Sequence, residues 1–297
     1  MTDPIIPEYQ HCLVCPRNCG INRYEATGYC HSTASLRMSV AQLHYGEEPP
    51  ISGTKGSGTI FFSNCNLRCV FCQNHEISDA GLGRDISIEQ LVQTMLELQE
   101  KGAHNINFVT PTHFTPGIRR AILDAKRTGL TIPIVWNSNA YEAVETLQTL
   151  EGLVDIYLPD LKYASGVFSK KYSSAKDYPE IARKAILEMY RQTGILELKD
   201  NIGVKGMIIR LLVLPHKLAG VRESLYWIHE NLGPSVFISL MGQYYPTHKA
   251  SSYPEINRSI TADEYNEVAE LVSDLGFTNA FIQEIGSTSD WTPKFQG

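Results

Sequence analysis

Apolar positions along the chain follow two periods. TIFFS (59–63), INFVT (106–110), IPIVW (132–136), VDIYL (154–158), GMIIRLLVL (206–214) and SVFISLM (235–241) are short, nearly continuous apolar runs. That is the pattern of strands buried on both faces. Between them the apolar spacing lengthens to the helical period. Ile88, Leu91, Val92, Met95 and Leu96 share one face of a helix opened by Ser87, with Gln90 completing a capping box. Further helices are predicted near 116–128, 140–150, 178–194 and 219–231, and a last one starts at Thr261 with Glu264 as its capping partner. Strands alternating with helices predict parallel β/α units and an α/β fold, and six units suit either a doubly wound sheet or an incomplete barrel. The first fifty residues break the pattern. They are expected to be irregular and to end in a linker, Glu47-Glu48-Pro49-Pro50, dividing the chain into a cysteine-rich segment (1–50) and a β/α domain (51–297).

Composition narrows the function classes. At 297 residues, with 43% apolar and 20% charged residues, the chain can bury a substantial core. Lys plus Arg total 26 against 32 Asp plus Glu, so the basic excess that a nucleic acid partner would need is missing. No run approaches the ~18 apolar residues of a membrane span, and the N-terminus lacks a basic, then apolar, leader. A cytoplasmic location is expected, where disulfides rarely persist. The 7 cysteines must then be read as ligands or redox groups.

All seven fall in the first quarter of the chain. Cys12, Cys15, Cys19 and Cys30 form one group, and Cys65, Cys69 and Cys72 form another directly after the first predicted strand. Buried cysteines acting as small hydrophobes would be scattered through the strands instead. Four thiolates close a tetrahedral zinc shell or the corners of an iron–sulfur cluster, whereas three leave a position open for reaction. Ligands of parallel sheets bind at the C-terminal strand ends. Thr110 and Thr112, Asn137-Ser138-Asn139, Asp160 and Lys162 follow successive strands at that edge.

The spacing Cys65-x3-Cys69-x2-Cys72 resembles the signature of the radical S-adenosylmethionine (SAM) superfamily. With GSGTIFFSNCNLRCVFCQNHEIS, GAHNINFVTPTHF, DIYLPDLKY and LMGQYYP, it resembles the group related to pyruvate formate-lyase activating enzyme, in its PflX-like branch. The resemblance implies a partial (β/α)6 barrel of TIM type, to which the first cysteine group adds an N-terminal cysteine-rich metal-binding extension. It implies a [4Fe–4S] cluster on Cys65, Cys69 and Cys72 whose open iron chelates SAM. Reductive cleavage would release a 5′-deoxyadenosyl radical that abstracts a substrate hydrogen. An electron donor such as flavodoxin or ferredoxin is implied, and a glycyl-radical protein is one implied substrate.

Other family positions transfer residue by residue. Phe71 is expected near the adenine or as a core aromatic. The glycine-rich segment that meets the methionine ammonium is replaced by Thr110-Pro111-Thr112-His113, so backbone carbonyls or the Thr110 and Thr112 hydroxyls would accept it, with His113 either assisting or solvated. Asn137-Ser138-Asn139-Ala140 stands where activating enzymes tend to have Asp-Thr-Asn-Gly, which removes a charge and weakens any monovalent cation site. Asp160 and Lys162 match Asp-Leu-Lys near the cofactor carboxylate, against a local surface ion pair. Arg210 suits carboxylate recognition or a strand-end ion pair.

Cys12-x2-Cys15-x3-Cys19-x10-Cys30 fits zinc or an auxiliary iron–sulfur cluster, with Gly20 and Gly28 allowing its turns. Two other functions remain beside the activating one. A noncatalytic iron–sulfur carrier or sensor would prefer four protein ligands everywhere, and a radical SAM enzyme could equally act on a small molecule.

Overall fold

The computed structural model describes residues 3–285 and residue 295. The end of the expected β/α domain, 286–294 and 296–297, lies outside the described residues. In chain order the elements are β1 (Leu36–His44), α1 (Pro49–Ser52), β2 (Ser57–Phe62), α2 (His75–Ser78), β3 (Arg84–Ile86), α3 (Ile88–Glu100), β4 (Ile106–Val109), α4 (Thr115–Arg127), β5 (Ile134–Ser138) and α5 (Val144–Gln148). They continue with β6 (Ile156–Pro159), α6 (Gly166–Ser173), α7 (Tyr178–Thr193), β7 (Glu197–Lys199), β8 (Ile202–Leu212), α8 (Val221–Leu232), β9 (Phe237–Met241), α9 (Ala262–Asp274) and β10 (Ala280–Ile282).

Each of the six apolar runs forms a strand, and all six are parallel neighbours in the order β2-β4-β5-β6-β8-β9. β10 adds a seventh parallel strand beyond β9. The fold is α/β, a partial barrel, as the resemblance implied. β7 turns back antiparallel on β8. Helices α3 and α9 open with the expected capping boxes at Ser87–Gln90 and Thr261–Glu264.

Three expectations need correction. Residues 36–44 are not irregular: they form β1, antiparallel to β2, and β3 pairs with its far side. The acidic stretch at 47–50 is not a solvated linker. Glu47 and Glu48 are buried, and Pro49 and Pro50 start α1. The helix expected over 140–150 begins only at Val144, because Ala140 takes a left-handed backbone at φ 59°.

Side chains alternate across each strand. On β5, Ile134 and Trp136 join the main core beneath the helices, while Val135 packs with Ile51, Ile156, Leu158, Leu196 and Ile208 inside the barrel. Ile51 of α1 thus plugs the barrel under the strands' N-terminal ends, and Asn105 donates to its carbonyl (2.8 Å). Above this apolar layer the interior turns polar, with Asn107, Asn137, Asp160, Arg210 and Ser239.

Candidate active site

A cavity of about 620 Å³ occupies the upper barrel. Cys65, Cys69 and Cys72 lie along it, on the loop that leaves the C-terminal end of β2. Each sulfur has a polar neighbour from elsewhere in the fold. Asn139 Nδ2 donates to Cys65 Sγ (3.4 Å), Ser173 Oγ to Cys69 Sγ (3.0 Å), and Ser78 Oγ lies 3.2 Å from Cys72 Sγ. Burial pushes the free thiols up, Cys65 to about 12 and Cys69 to about 11, while Lys162 pulls both down. A thiol must lose its proton to bind metal, so Lys162 favours the ligating form.

The predicted polar residues converge on the same cavity and bind one another. Asp160 receives Lys162 Nζ at 2.6 Å on one oxygen and Arg210 Nε at 2.8 Å on the other. Arg210 also donates to Glu47 (3.2 Å) and to Asn137 Oδ1. Glu47 in turn accepts from Asn107 (2.9 Å) and Asn137 (3.2 Å). The Asp160–Lys162 pair is therefore no surface pair: its side chains are 16% and 19% exposed. Burial opposes ionisation of Asp160, but Arg210 and Lys162 outweigh it and hold the carboxyl below its usual range. Burial likewise opposes the Lys162 charge, and Asp160 with Cys69 outweighs it, raising that ammonium's pKa. Arg210 forms the expected ion pair, joining β8 to the end of β6 and to the turn before α1, and it also lines the cavity. Lys162 keeps donors to spare beyond Asp160.

Other expectations divide. Phe71 packs edge-on to Tyr244 and Tyr163, at 5.6 and 6.5 Å, as a core aromatic would, and it also lines the cavity. Thr110 lines the cavity at φ 59°, a costly backbone for a β-branched residue and the kind of strain that collects at functional sites. Ser138 and Asn139 line it too, but Asn139 is engaged with Cys65, Asn66 and the Tyr141 amide. Thr112 does not reach the cavity: it is buried behind it, its hydroxyl donating to Glu142 (3.1 Å). His113 is neither solvated nor in this cavity. It is buried with Nε2 3.0 Å from the Ser63 carbonyl, and burial and Arg23 lower its pKa to about 3.

Sequence reasoning missed the inner end of the cavity. His44, Glu47, Glu48, Ser239 and Phe281 line it. Burial raises the pKa of both Glu47 and Glu48, against the pull of Arg210. The signal was two consecutive carboxylates beside a proline pair, which local composition presents as a solvated turn.

The other four cysteines also meet. Cys12, Cys15, Cys19 and Cys30 surround a space of about 10 Å³, roughly one water, together with Arg17, Arg23 and His113. Gly20 turns at φ 64°, and a Cβ on Gly28 would stand 3.1 Å from Cys19 Sγ. The four sulfurs share the lining of this space, although among the described residues no group of three or more His, Cys, Asp or Glu is already arranged to hold a single metal ion.

This geometry places three cysteines at the mouth of the first parallel strand, where a cluster loop belongs. Residues 59–206 match the family model of the radical SAM superfamily. The chain belongs to that superfamily. An uncharacterized protein of Methanocaldococcus jannaschii is 33% identical over 270 residues, 89% of this chain and 74% of that one. Two solved structures share the fold at 14% identity. A radical SAM methyltransferase from Sphaerobacter thermophilus aligns with TM-score 0.52 over 79% of this chain and 68% of its own. HydG, a maturase of the [FeFe]-hydrogenase, aligns with TM-score 0.51 over 75% of this chain, which spans 50% of HydG. Membership in the radical SAM superfamily implies an enzyme that uses a [4Fe–4S] cluster and SAM. Among the described residues no helix is long and apolar enough to cross a membrane.

Proposed function

We propose that this radical SAM protein holds a [4Fe–4S] cluster on Cys65, Cys69 and Cys72 and abstracts hydrogen from a substrate seated in the same cavity. The observation that carries this reading is that the three sulfurs, Lys162 and the polar floor share one cavity. When bound, the cluster and SAM supply one-electron cleavage and a carbon radical. The chain's residues do the rest. Lys162, held by Asp160, offers its remaining N–H donors to the SAM carboxylate. Thr110 and nearby carbonyls accept the ammonium. Arg210 is a pillar that ties Asp160, Asn137 and Glu47 together. Ser173, Asn139 and Ser78 hold the sulfurs, and such donors tune a cluster's potential. A flavodoxin or ferredoxin would supply the electron.

The resemblance to activating enzymes favours a glycyl-radical protein as substrate. The polar inner end formed by His44, Glu47 and Glu48 favours a small polar molecule instead, because it gives specific contacts at a depth a passing peptide backbone does not need. The test is 5′-deoxyadenosine formation and EPR of the anaerobically reconstituted, reduced protein. A cluster signal that changes on adding SAM, with both signal and cleavage lost in Cys69→Ala, supports the enzyme. A cluster indifferent to SAM turns the reading to an electron carrier, and cleavage retained by Cys69→Ala refutes it.

A further inference from the structure

The two cysteine groups exchange hydrogen bonds across their loops. From the β2 end, the Ser63 carbonyl meets His113 Nε2 (3.0 Å), and the His113 carbonyl is held by Arg23. Asn64 Nδ2 donates to Ser32 Oγ (3.0 Å), and the Asn66 carbonyl accepts from Arg17 Nε (2.8 Å). Arg68 Nη2 then reaches back to the Tyr29 carbonyl (2.9 Å). The exchange is reciprocal: Arg17 lies between Cys15 and Cys19 and grips the loop of Cys65, while Arg68 adjoins Cys69 and grips the neighbour of Cys30. Both guanidinium groups sit over the Tyr29 ring, at 3.8 and 5.2 Å. Arg17 Nη1 also holds the Ser174 carbonyl (2.7 Å), next to the serine that donates to Cys69.

The space between the four cysteines has a matching chemistry. Arg17 Nη2 and His113 Nδ1 are buried without a hydrogen-bond partner, and both residues line that space. Unpaired buried polar atoms are expensive and call for a partner. Four thiolates around a doubly charged metal centre leave two negative charges, which Arg17 and Arg23 match.

We propose that Cys12, Cys15, Cys19 and Cys30 form a four-thiolate metal centre that sets the conformation of loop 63–72 through Arg17, Arg23 and Tyr29. This rests on the reading of Cys65, Cys69 and Cys72 as cluster ligands. Metal at the first centre fixes the backbone that carries these three side chains, so the second site loads only on a preset loop. Arg17 is a positioning residue.

The experiment compares the full-length protein with its Cys15→Ser, Arg17→Ala and Cys69→Ala variants, purified anaerobically. It measures zinc, iron and sulfide content and amide hydrogen exchange over residues 63–72, with circular dichroism as the control for folding. Cys69→Ala should retain the N-terminal metal, and its identity, one zinc or a set of irons with sulfide, separates the two sources. Cys15→Ser should lose that metal, exchange at least tenfold faster over 63–72, and load the second site several-fold less. Arg17→Ala should keep the N-terminal metal yet exchange faster over 63–72, which decides the matter if Cys15→Ser fails to fold. Metal-free Cys69→Ala protein, or wild-type exchange in Arg17→Ala, would overturn the proposal. A wild-type cluster that ignores SAM, with the exchange coupling intact, would instead sink the proposed function and leave this centre standing.

Discussion

Replacing Asp160 with Asn tests whether the polar layer is a buried ion network. Asp160 is bonded to Lys162 at 2.6 Å and Arg210 at 2.8 Å, and all three side chains are at most 19% exposed. Breaking a buried pair strands a charge at about 3–5 kcal/mol. Arg210 keeps Glu47, so only Lys162 loses its carboxylate, and the lower end, about 3 kcal/mol, is expected. For a chain of 297 residues that lowers Tm by roughly 5 °C. Denaturant unfolding of the anaerobic protein measures it, with the Asp160→Asn/Lys162→Met double variant as the internal control. Removing the stranded ammonium should recover part of the loss. The pH dependence has a definite sign. Asp160 is depressed in the folded state, so its contribution is complete above its ordinary pKa of ~3.9 and is lost as pH falls through the folded value. The variant's deficit should therefore shrink in acid. A deficit below about 1 kcal/mol at neutral pH, the size of an exposed pair, would refute the argument.

Glu142 is buried against Trp136 Nε1 (2.9 Å) and Thr112, and burial raises its pKa, so Glu142→Gln should gain stability relative to wild type as pH rises above the ordinary carboxylate pKa of ~4.3 in denaturant titrations. The wild-type carboxyl contributes fully below its unfolded pKa and loses that contribution as pH climbs through the folded value. Gly206 sits in β8 at φ 127°, where a Cβ would stand 2.3 Å from the Leu196 Cα, so Gly206→Ala should cost several kcal/mol and yield little soluble protein. Ser173→Ala removes the 3.0 Å donor to Cys69 and should shift the cluster potential negative in an EPR-monitored redox titration, while iron content stays at the wild-type level.

The parts of the fold that were legible in the sequence are those fixed by local pattern. Strands buried on both faces announce themselves as unbroken apolar runs, and a cysteine loop directly after one of them locates the active edge. β1 escaped because seven of its nine residues are partly exposed, so LRMSVAQLH looks like a mixed loop. β10 is only three residues, none of them fully buried. The polar site was legible as a set of residues but not as a network. Nothing near Arg210 in sequence indicates that its partners are Glu47, 163 positions away, and Asp160. Thr112 was misplaced because a single backbone turn after β4 decides whether a hydroxyl faces the cavity or the core, and Glu142 takes it on the core side.

The turn between β1 and β2 supplies Glu47, Glu48 and the plug residue Ile51, whereas the sulfurs come from the loop after β2. Depth and reactivity are thus written in separate stretches on either side of one strand. On the proposed reading, a new side chain at Glu48 alters what the inner cavity accepts, whereas one at Glu47 is also felt at Asp160 and Lys162 through Arg210.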